Sequence, residues 1–589
     1  MFLVSDNCKE CWPDNSFWVI SESVLGYDNG NDSYSNKNII GIVDNPFLSE
    51  DYTSKQYERA WELSETLTKI LSVRLNKVHG LNRSFEYWSI HLKIWTQLHS
   101  MIVIDRYERA KKAKESIDNL TYYTNTKKSE VDVEDMHDYY QQAAISDDFN
   151  SYIYKKIFKH LDVKIDYKNI NNSNSIKKNE FNKKNNINIF KFLVNFLLKK
   201  LSKNASILLV DSYLPNKFQF LLMALSLFKI VPFRKSIAST YKGRDSKELD
   251  YFSRNKIAEV SEYSNSNELL DIALIIMDRL LPRSLLENFI ENEVNSYNVY
   301  PTTKAKLIFS ANSWWFDEFF KHWVAENKIS RDIKIIGGKH GGSALLRKYA
   351  VWEKSEELIS DAYLTWGNTS VDNKKLIRTP ANILVNIKKR KKIKGERILF
   401  GTTVQSRYQT IFFSDFNNYL RIQKEFIKNI PQDLCEKLYV RLHPSDYGWG
   451  IKKRIVDLNA NIKFDNTLIS FRESIKTCKI YICDHYHTTY IETLALNIPT
   501  ILFWNSSQYP VLPKAQQYIQ SLIDVKIIHE TPESAIEWLK IIEKSPEEWW
   551  FQLRTQNNIN KFLNEYGYKS RSPLYEWRGI LNGLAKTKL

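Results

Sequence analysis

The chain has 589 residues, 43% apolar and 13% aromatic, and its 84 Lys and Arg outweigh 68 Asp and Glu for a net charge of +16. That is more than one core organises, so two or three domains are expected, and the apolar content excludes global disorder. No stretch approaches the roughly 18 consecutive apolar residues of a membrane-spanning helix, and five cysteines make no disulfide framework.

The opening, MFLVSDNCKECWPD, has no basic stretch leading into an apolar one with a small-residue cleavage site, so a cytoplasmic location is expected. Cys8 and Cys11 form a C-x-x-C with no second pair at zinc spacing, and no metal is expected. Residues 1–200 read as a mainly helical N-terminal region. Within it, ERAWELSETLTKILSVRLNKVHG and FEYWSIHLKIWTQLHSMIVIDRYERAKKAKESI carry apolar residues at helical spacing. The Lys/Asn-rich insert at about 168–191 has the composition of a solvated segment. The same lysines suit an anionic lipid surface, so peripheral attachment at the inner face of a membrane is the alternative location. No nucleic-acid module accompanies the charge, and no nucleic-acid partner is expected.

From about residue 206 the pattern changes to short apolar runs alternating with helix-like stretches, which implies parallel sheets. The runs ILLV (207–210), KLIFS (306–310), IKIIGG (333–338) and DAYLTWG (361–367) define a first unit over 201–385. A basic linker, 378–396, leads into a second unit over 386–548, with strands RILFG (397–401), LYVRL (438–442), KIYIC (479–483), PTILF (499–503) and VKIIH (525–529). A C-terminal helical tail occupies 549–589. The expected fold is α/β and GT-B-like: two Rossmann-like domains facing a cleft, with the helical region in front. In such sheets ligands sit beyond the carboxyl ends of the strands.

Four polar stretches follow strands. In DHYHTT, Asp484 to Thr489 lead into a helix. Thr489-x-x-Glu492 has capping-box spacing, yet a helix N-terminus with free amides and hydroxyls also holds anions. In RLHPSD, Pro444 holds the backbone of His443 extended, beside Arg441, an arrangement suited to a phosphate leaving group or to a plain turn. In FGTTVQSRY, Thr402 and Thr403 allow close approach to phosphate, but the spacing matches neither a P-loop nor a dinucleotide fingerprint. In GGKHGGS, Gly341 and Gly342 flank Lys339 and His340, presenting an imidazole able to act as a base or an incidental histidine in a turn. Asp211 and Asn312 are weaker strand-end candidates, each with the spacing of a helix cap.

Arg441-x-His443-Pro444, followed some forty residues later by Asp484-x-x-x-Thr488-Thr489, resembles the C-terminal domain of GT-B enzymes that use cytidine-activated donors. These are bacterial sialyltransferases and polysialyltransferases, capsule Kdo transferases and CDP-glycerol glycerophosphotransferases. Over nearly the whole chain, FLVS…CWPD, LNRSFEYWSIHLKIW, IIGGKHGG, FGTT, RLHP and DHYHTTYIETLALNIPTI resemble a family of bacterial surface-carbohydrate transferases often associated with nonulosonic acid pathways. Many relatives carry serines where this chain has Thr488 and Thr489, and QHGG where it has KHGG.

The resemblance implies a glycosyltransferase of surface carbohydrate (LPS, capsule or glycan) that moves a nonulosonic acid or Kdo-like sugar from a CMP-activated donor to a glycan or lipid-linked glycan acceptor. No cofactor beyond the nucleotide-sugar substrate is implied. His443, Pro444, Thr488 and Thr489 would hold the cytidine phosphate, with Glu492 at the ribose and Thr402, Thr403, Arg441 and Asp484 completing the nucleotide site. Lys339, Gly341, Gly342 and Asn312 would line the substrate side. His340 is the expected base, with Asp211 in reserve. A CDP-glycerol or ribitol-type phosphotransferase and a non-catalytic nucleotide- or glycan-binding scaffold are the alternatives.

Overall fold

The computed structural model describes residues 1–7, 12–25, 27–28, 31–32, 38–125, 131–168, 189–233, 248–260, 267–411, 416–504 and 509–587. Cys8 and Cys11, and all of the Lys/Asn-rich insert save its ends, lie outside them.

The N-terminal region holds the largest departure from expectation. Its helices are present, but they pack against a five-stranded parallel sheet. The strands are β1 (Phe2–Val4), β2 (Phe17–Val19), β3 (Ile39–Ile42), β4 (Thr121–Asn125) and β5 (Lys164–Lys168), in the order β3-β2-β1-β4-β5. Runs of three or four residues carry no alternation to read, and TYYTN and KIDYK look polar, so the sheet hides from periodicity. Between β3 and β4 run α1 (Glu50–His79) and α2 (Phe85–Ser116), each started by a serine, Ser49 or Ser84, whose hydroxyl accepts an amide of the first turn. Helix α2 is buried on nearly every face, including Lys93, His99, Asp105 and Arg106, because it threads between the sheet and the rest of the molecule. Two shorter helices follow, α3 (Met136–Ile145) and α4 (Asp147–His160).

The next unit is a six-stranded parallel sheet. It comprises β6 (Ile207–Val210), β7 (Ile230–Phe233), β8 (Leu307–Ser310), β9 (Lys334–Gly338), β10 (Ala362–Thr365) and β11 (Leu376–Arg378), ordered β11-β10-β9-β8-β6-β7. The following unit has β12 (Arg397–Gly401), β13 (Leu438–Arg441), β14 (Lys463–Phe464), β15 (Cys478–Cys483), β16 (Thr500–Phe503) and β17 (Ile528–His529), ordered β14-β13-β12-β15-β16-β17. Central strands buried on both faces (ILLV, LIFS, AYLT, TILF) are the continuous apolar runs expected of parallel sheets. This is the GT-B-like pair of Rossmann-like units. Strand order reverses between β6 and β8 in one and between β12 and β15 in the other.

The C-terminal tail is helical and is divided into separate helices. One helix, Leu553–Tyr566, packs beside the β12–β17 unit through Phe562 and Leu563. Ser572-Pro573 starts another, Pro573–Lys586, which crosses back to the β6–β11 unit. There Trp577, Leu581 and Leu584 join Leu209, Phe309 and Leu364 in one apolar cluster, and the Trp577 indole donates to the Pro380 carbonyl at 3.1 Å. The tail therefore ties the two units together.

Candidate active site

Both strand-order reversals open on the space between the two units, and the polar stretches gather there. From the β12–β17 side, Thr402 and Thr403 follow β12, His443 follows β13, and His485, His487, Thr488 and Thr489 follow β15. All of them line one cleft of about 450 Å³. From the other side the GGKHGGS loop reaches across, and the Gly342 amide donates to the Thr488 hydroxyl at 3.0 Å. Gly341 faces the same hydroxyl, with space for a Cβ 4.0 Å away.

The helix Thr488–Leu496 begins with His487 as its N-cap, not Thr489. The capping-box spacing is therefore not used. Thr489 Oγ1 accepts from Tyr481 at 2.6 Å, and Glu492 is held by Arg472 at 2.6 Å. With no side chain capping it, the helix start leaves amides directed at the cleft, which suits an anion.

Three histidines stand together. His443 Nδ1 lies 3.1 Å from the Ser445 amide nitrogen and 3.2 Å from the Ser445 carbonyl oxygen, so the turn anchors the ring through that nitrogen. The His487 amide donates to His485 Nδ1, also at 3.1 Å. Burial lowers all three rings from the usual imidazole range. His485 is pushed well down, with its histidine neighbours adding to the effect, and His487 to about 4 by burial and then the Arg347 charge. At neutral pH these rings are uncharged hydrogen-bonding groups.

Several expected residues sit elsewhere. Arg441 turns away from the cleft and pairs with Asp465 at 2.6 Å and with the carbonyls of Asn466 and Ile469. Its role there is to pin the loop after β14. Asp484 lies beneath the site, accepting from Tyr419 at 2.8 Å and Gln423 at 3.2 Å; burial raises its carboxyl to about 7. Glu492, tied to Arg472, does not line the cleft. Pro444 shapes the turn without lining the cavity. Lys339 points into the protein, where its ammonium lies over the rings of Trp366 and Tyr566, and burial lowers it to about 7.

His340, Asp211 and Asn312 cluster at the β6/β8 reversal. Asp211 accepts from Ser313 at 2.6 Å, and Asn312 starts the short helix Ser313–Phe316 without a side-chain cap bond. The His340 ring packs near Tyr213, and its Nδ1 lies 3.9 Å from Glu356 Oε1, beyond hydrogen-bond distance. Burial lowers His340 as well. It is two residues from the Gly342–Thr488 contact, and like Asp211 and Asn312 it does not itself line the cleft.

The structure adds wall residues the motifs did not indicate. Arg347 reaches the cleft while its Nη2 grips both oxygens of Glu353, at 3.0 and 2.8 Å. Burial would raise Glu353, but the Arg347 charge and hydrogen bonds hold it below the usual carboxylate range. Gln405, Tyr447 and Tyr509 come from the β12–β17 unit, and Tyr140 from the N-terminal region. Gln405 lies in a stretch already notable for hydroxyls; Arg347 and Tyr140 carry no local signal, because only the packing of the units brings them in. Among the described residues no group of three or more His, Cys, Asp or Glu is placed to hold a metal ion, and no helix is long and apolar enough to cross a membrane.

Two parallel α/β units that present hydroxyls, imidazoles and a helix start to one shared cleft define a GT-B-type fold with a cleft between its domains. The chain belongs to the LIC12162 family of transferases, whose model matches residues 1–581. No curated protein matches it. Among solved structures it is similar to spinosyn rhamnosyltransferase SpnG at 10% identity, over 64% of this chain and 100% of that one, with a TM-score of 0.28. It is also similar to a structure described as trehalose-6-phosphate from E. coli bound with UDP-2-fluoro glucose, at 8% identity over 65% of this chain and 99% of that one, TM-score 0.34. An α,α-trehalose-phosphate synthase (UDP-forming) from Burkholderia vietnamiensis matches at 9% identity over 65% and 98%, TM-score 0.32. At such scores the likeness says nothing of donor, acceptor or reaction.

Proposed function

We propose that this transferase moves a sugar from a nucleotide-activated donor, with the nucleotide phosphate in the cleft at Thr402, Thr403, His443 and the start of the helix Thr488–Leu496. One observation carries the reading: neutral imidazoles, hydroxyls and uncapped helix amides from three strand ends converge on a single cavity. Donors fixed in advance around a leaving phosphate stabilise the charge that develops as the glycosidic bond breaks. No metal step is invoked. His340, on the opposite unit two residues before Gly342, is the candidate to take the acceptor proton, since a neutral imidazole is a competent base near pH 7. Asp211 is the reserve.

The His-Pro turn and the hydroxyl pair favour a CMP-activated donor, a nonulosonic acid or Kdo-like sugar, used in surface carbohydrate synthesis. Release of CMP from a panel tests this: CMP-sialic acid, other CMP-nonulosonates, CMP-Kdo and CDP-glycerol, with UDP- and GDP-sugars as controls. Release from a CMP-sugar, abolished in His443→Ala, supports the reading. Release from CDP-glycerol alone replaces it with phosphoglycerol transfer, and neither release nor binding replaces it with a scaffold.

A membrane-facing role draws support from the helix Ile189–Ser202. Leu193, Phe196 and Leu197 are half exposed or more, beside Lys199 and Lys200. An apolar stripe flanked by lysines suits the surface of an anionic bilayer, where a lipid-linked acceptor would be met. Co-sedimentation with phosphatidylglycerol vesicles, lost in Phe196→Glu, is the expected result; equal binding by the variant moves the contact elsewhere.

A further inference from the structure

A second cavity, of about 230 Å³, lies between the N-terminal sheet and the nucleotide-side unit. Its floor is the part of α2 carrying Asp105, Arg106 and Arg109, and its sides are the segments leaving β2 (Ser21–Ser23) and β3 (Val43–Asn45). These are carboxyl ends of parallel strands, where such sheets hold ligands. The roof is residues 406–409, and Ser406 and Gln409 border this cavity and the main cleft alike.

The wall is mixed: Val43, Tyr154 and Trp449 give it apolar patches, and its charged groups Asp105, Arg106, Arg109 and Arg407 are buried. Arg106 donates to the Gln409 carbonyl at 2.6 Å, and Arg109 donates to Gln409 Oε1 at 3.1 Å and to Asn45 Oδ1 at 3.3 Å. Asp105 accepts from both arginines. Arg407 pairs with Asp147 and donates to the Ile145 carbonyl at 3.1 Å, yet its Nε–H, in a side chain nine-tenths buried, has no partner among the described residues. A domain seam held only by these charges would be expected to close over them and satisfy that donor. Here a void and an unused donor remain. The arginines are matched by Asp105 and Asp147, with Glu22 and Asp44 at the rim, so the cavity has no strong call for an anion. Interleaved donors and acceptors, with the Ser21 and Ser23 hydroxyls bonded to each other at 2.5 Å and each keeping lone pairs for a further partner, suit a group that donates and accepts at every position, as sugar hydroxyls do.

We infer that this cavity is a saccharide subsite, holding a neutral hydroxyl-rich unit of the acceptor glycan whose reactive end lies across residues 406–409 in the main cleft. Calling the saccharide the acceptor rests on the donor reading of that cleft; the binding itself does not.

The test is saturation-transfer NMR on the full chain, without donor, using the methyl glycosides of glucose, galactose and N-acetylglucosamine. The expected result is a signal for at least one glycoside, reduced tenfold or more in Ser23→Trp, which fills the cavity, and kept within twofold in Val371→Trp, at an exposed position outside it. Hydrogen exchange on the unmodified chain gives a second readout that needs no variant: glycoside should protect residues 21–24 and 406–410. Silence from all three glycosides on folded protein overturns the proposal. So does a signal that persists in folded Ser23→Trp, or protection confined to 485–490. CMP binding, scored separately, reports on the donor reading, so the two can fail independently.

Discussion

The Gly342 amide donates to the Thr488 hydroxyl at 3.0 Å, and a Cβ at Gly342 would lie 2.6 Å from the His487 carbonyl oxygen. The two α/β units therefore meet backbone to backbone at the very start of the helix proposed to hold the phosphate. Closing the cleft and forming the anion site depend on the same contact.

Gly342→Ala should push the units apart, because neither backbone can give way as a flexible side chain would. Overpacking of this kind costs about 1–3 kcal/mol. Turnover should fall about tenfold or more, with a modest drop in melting temperature. An unaltered kcat in a folded variant would mean that the contact plays no part in the working state.

In the proposed site His443→Ala removes one preorganised donor to the leaving phosphate. By comparison with deleting one oxyanion-type donor, the barrier should rise by roughly 2–4 kcal/mol. Steady-state kinetics with the active donor reads it, and normal kcat/KM would remove His443 from the phosphate site.

Arg347 and Glu353 are both buried and bonded at 3.0 and 2.8 Å. Taking one partner leaves the other as an uncompensated buried charge, at a cost of about 3–5 kcal/mol. Glu353→Leu should lower the denaturation midpoint strongly. The double variant Arg347→Met/Glu353→Leu should recover much of the loss while still impairing nucleotide binding, since Arg347 lines the cleft. Failure of the double variant to regain stability would show that the pair's neighbours, not its charges, set the cost.

Asp484 supplies a pH test. Its folded carboxyl is raised by burial to about 7 against 3.8 unfolded. In that window the folded chain binds more protons, so the group favours folding at low pH and opposes it increasingly as pH rises towards 7. Asp484→Asn removes that opposition. Relative to the parent, the variant should gain about 2–3 kcal/mol between pH 5 and pH 8. A stability difference independent of pH would show that the carboxyl titrates normally.

Much of the architecture was legible in the residues alone. Each apolar run named from ILLV to VKIIH holds a strand, and Gly, Thr, His and Asp immediately after those runs fall at strand ends, because parallel strands buried on both faces must be continuously apolar and must stop where polarity returns. The DHYHTT, RLHP and FGTT stretches could be placed on one cleft by that rule. What local pattern could not reveal was direction. Arg441 and Glu492 each sit in the expected stretch but point to Asp465 and Arg472, since a strand or helix position says nothing about which neighbour waits across the fold. The five-stranded N-terminal sheet escaped because three of its strands are only three or four residues long and the other two, TYYTN and KIDYK, look polar. Arg347, Tyr140 and the Arg106–Gln409 contact are separated from their partners by tens to hundreds of residues, so only the packing of three units against one another decides that they meet. Sequence determined the elements and the chemistry at their ends; tertiary structure decided which of those ends face a ligand, because burial and hydrogen-bond partners belong to the assembled chain.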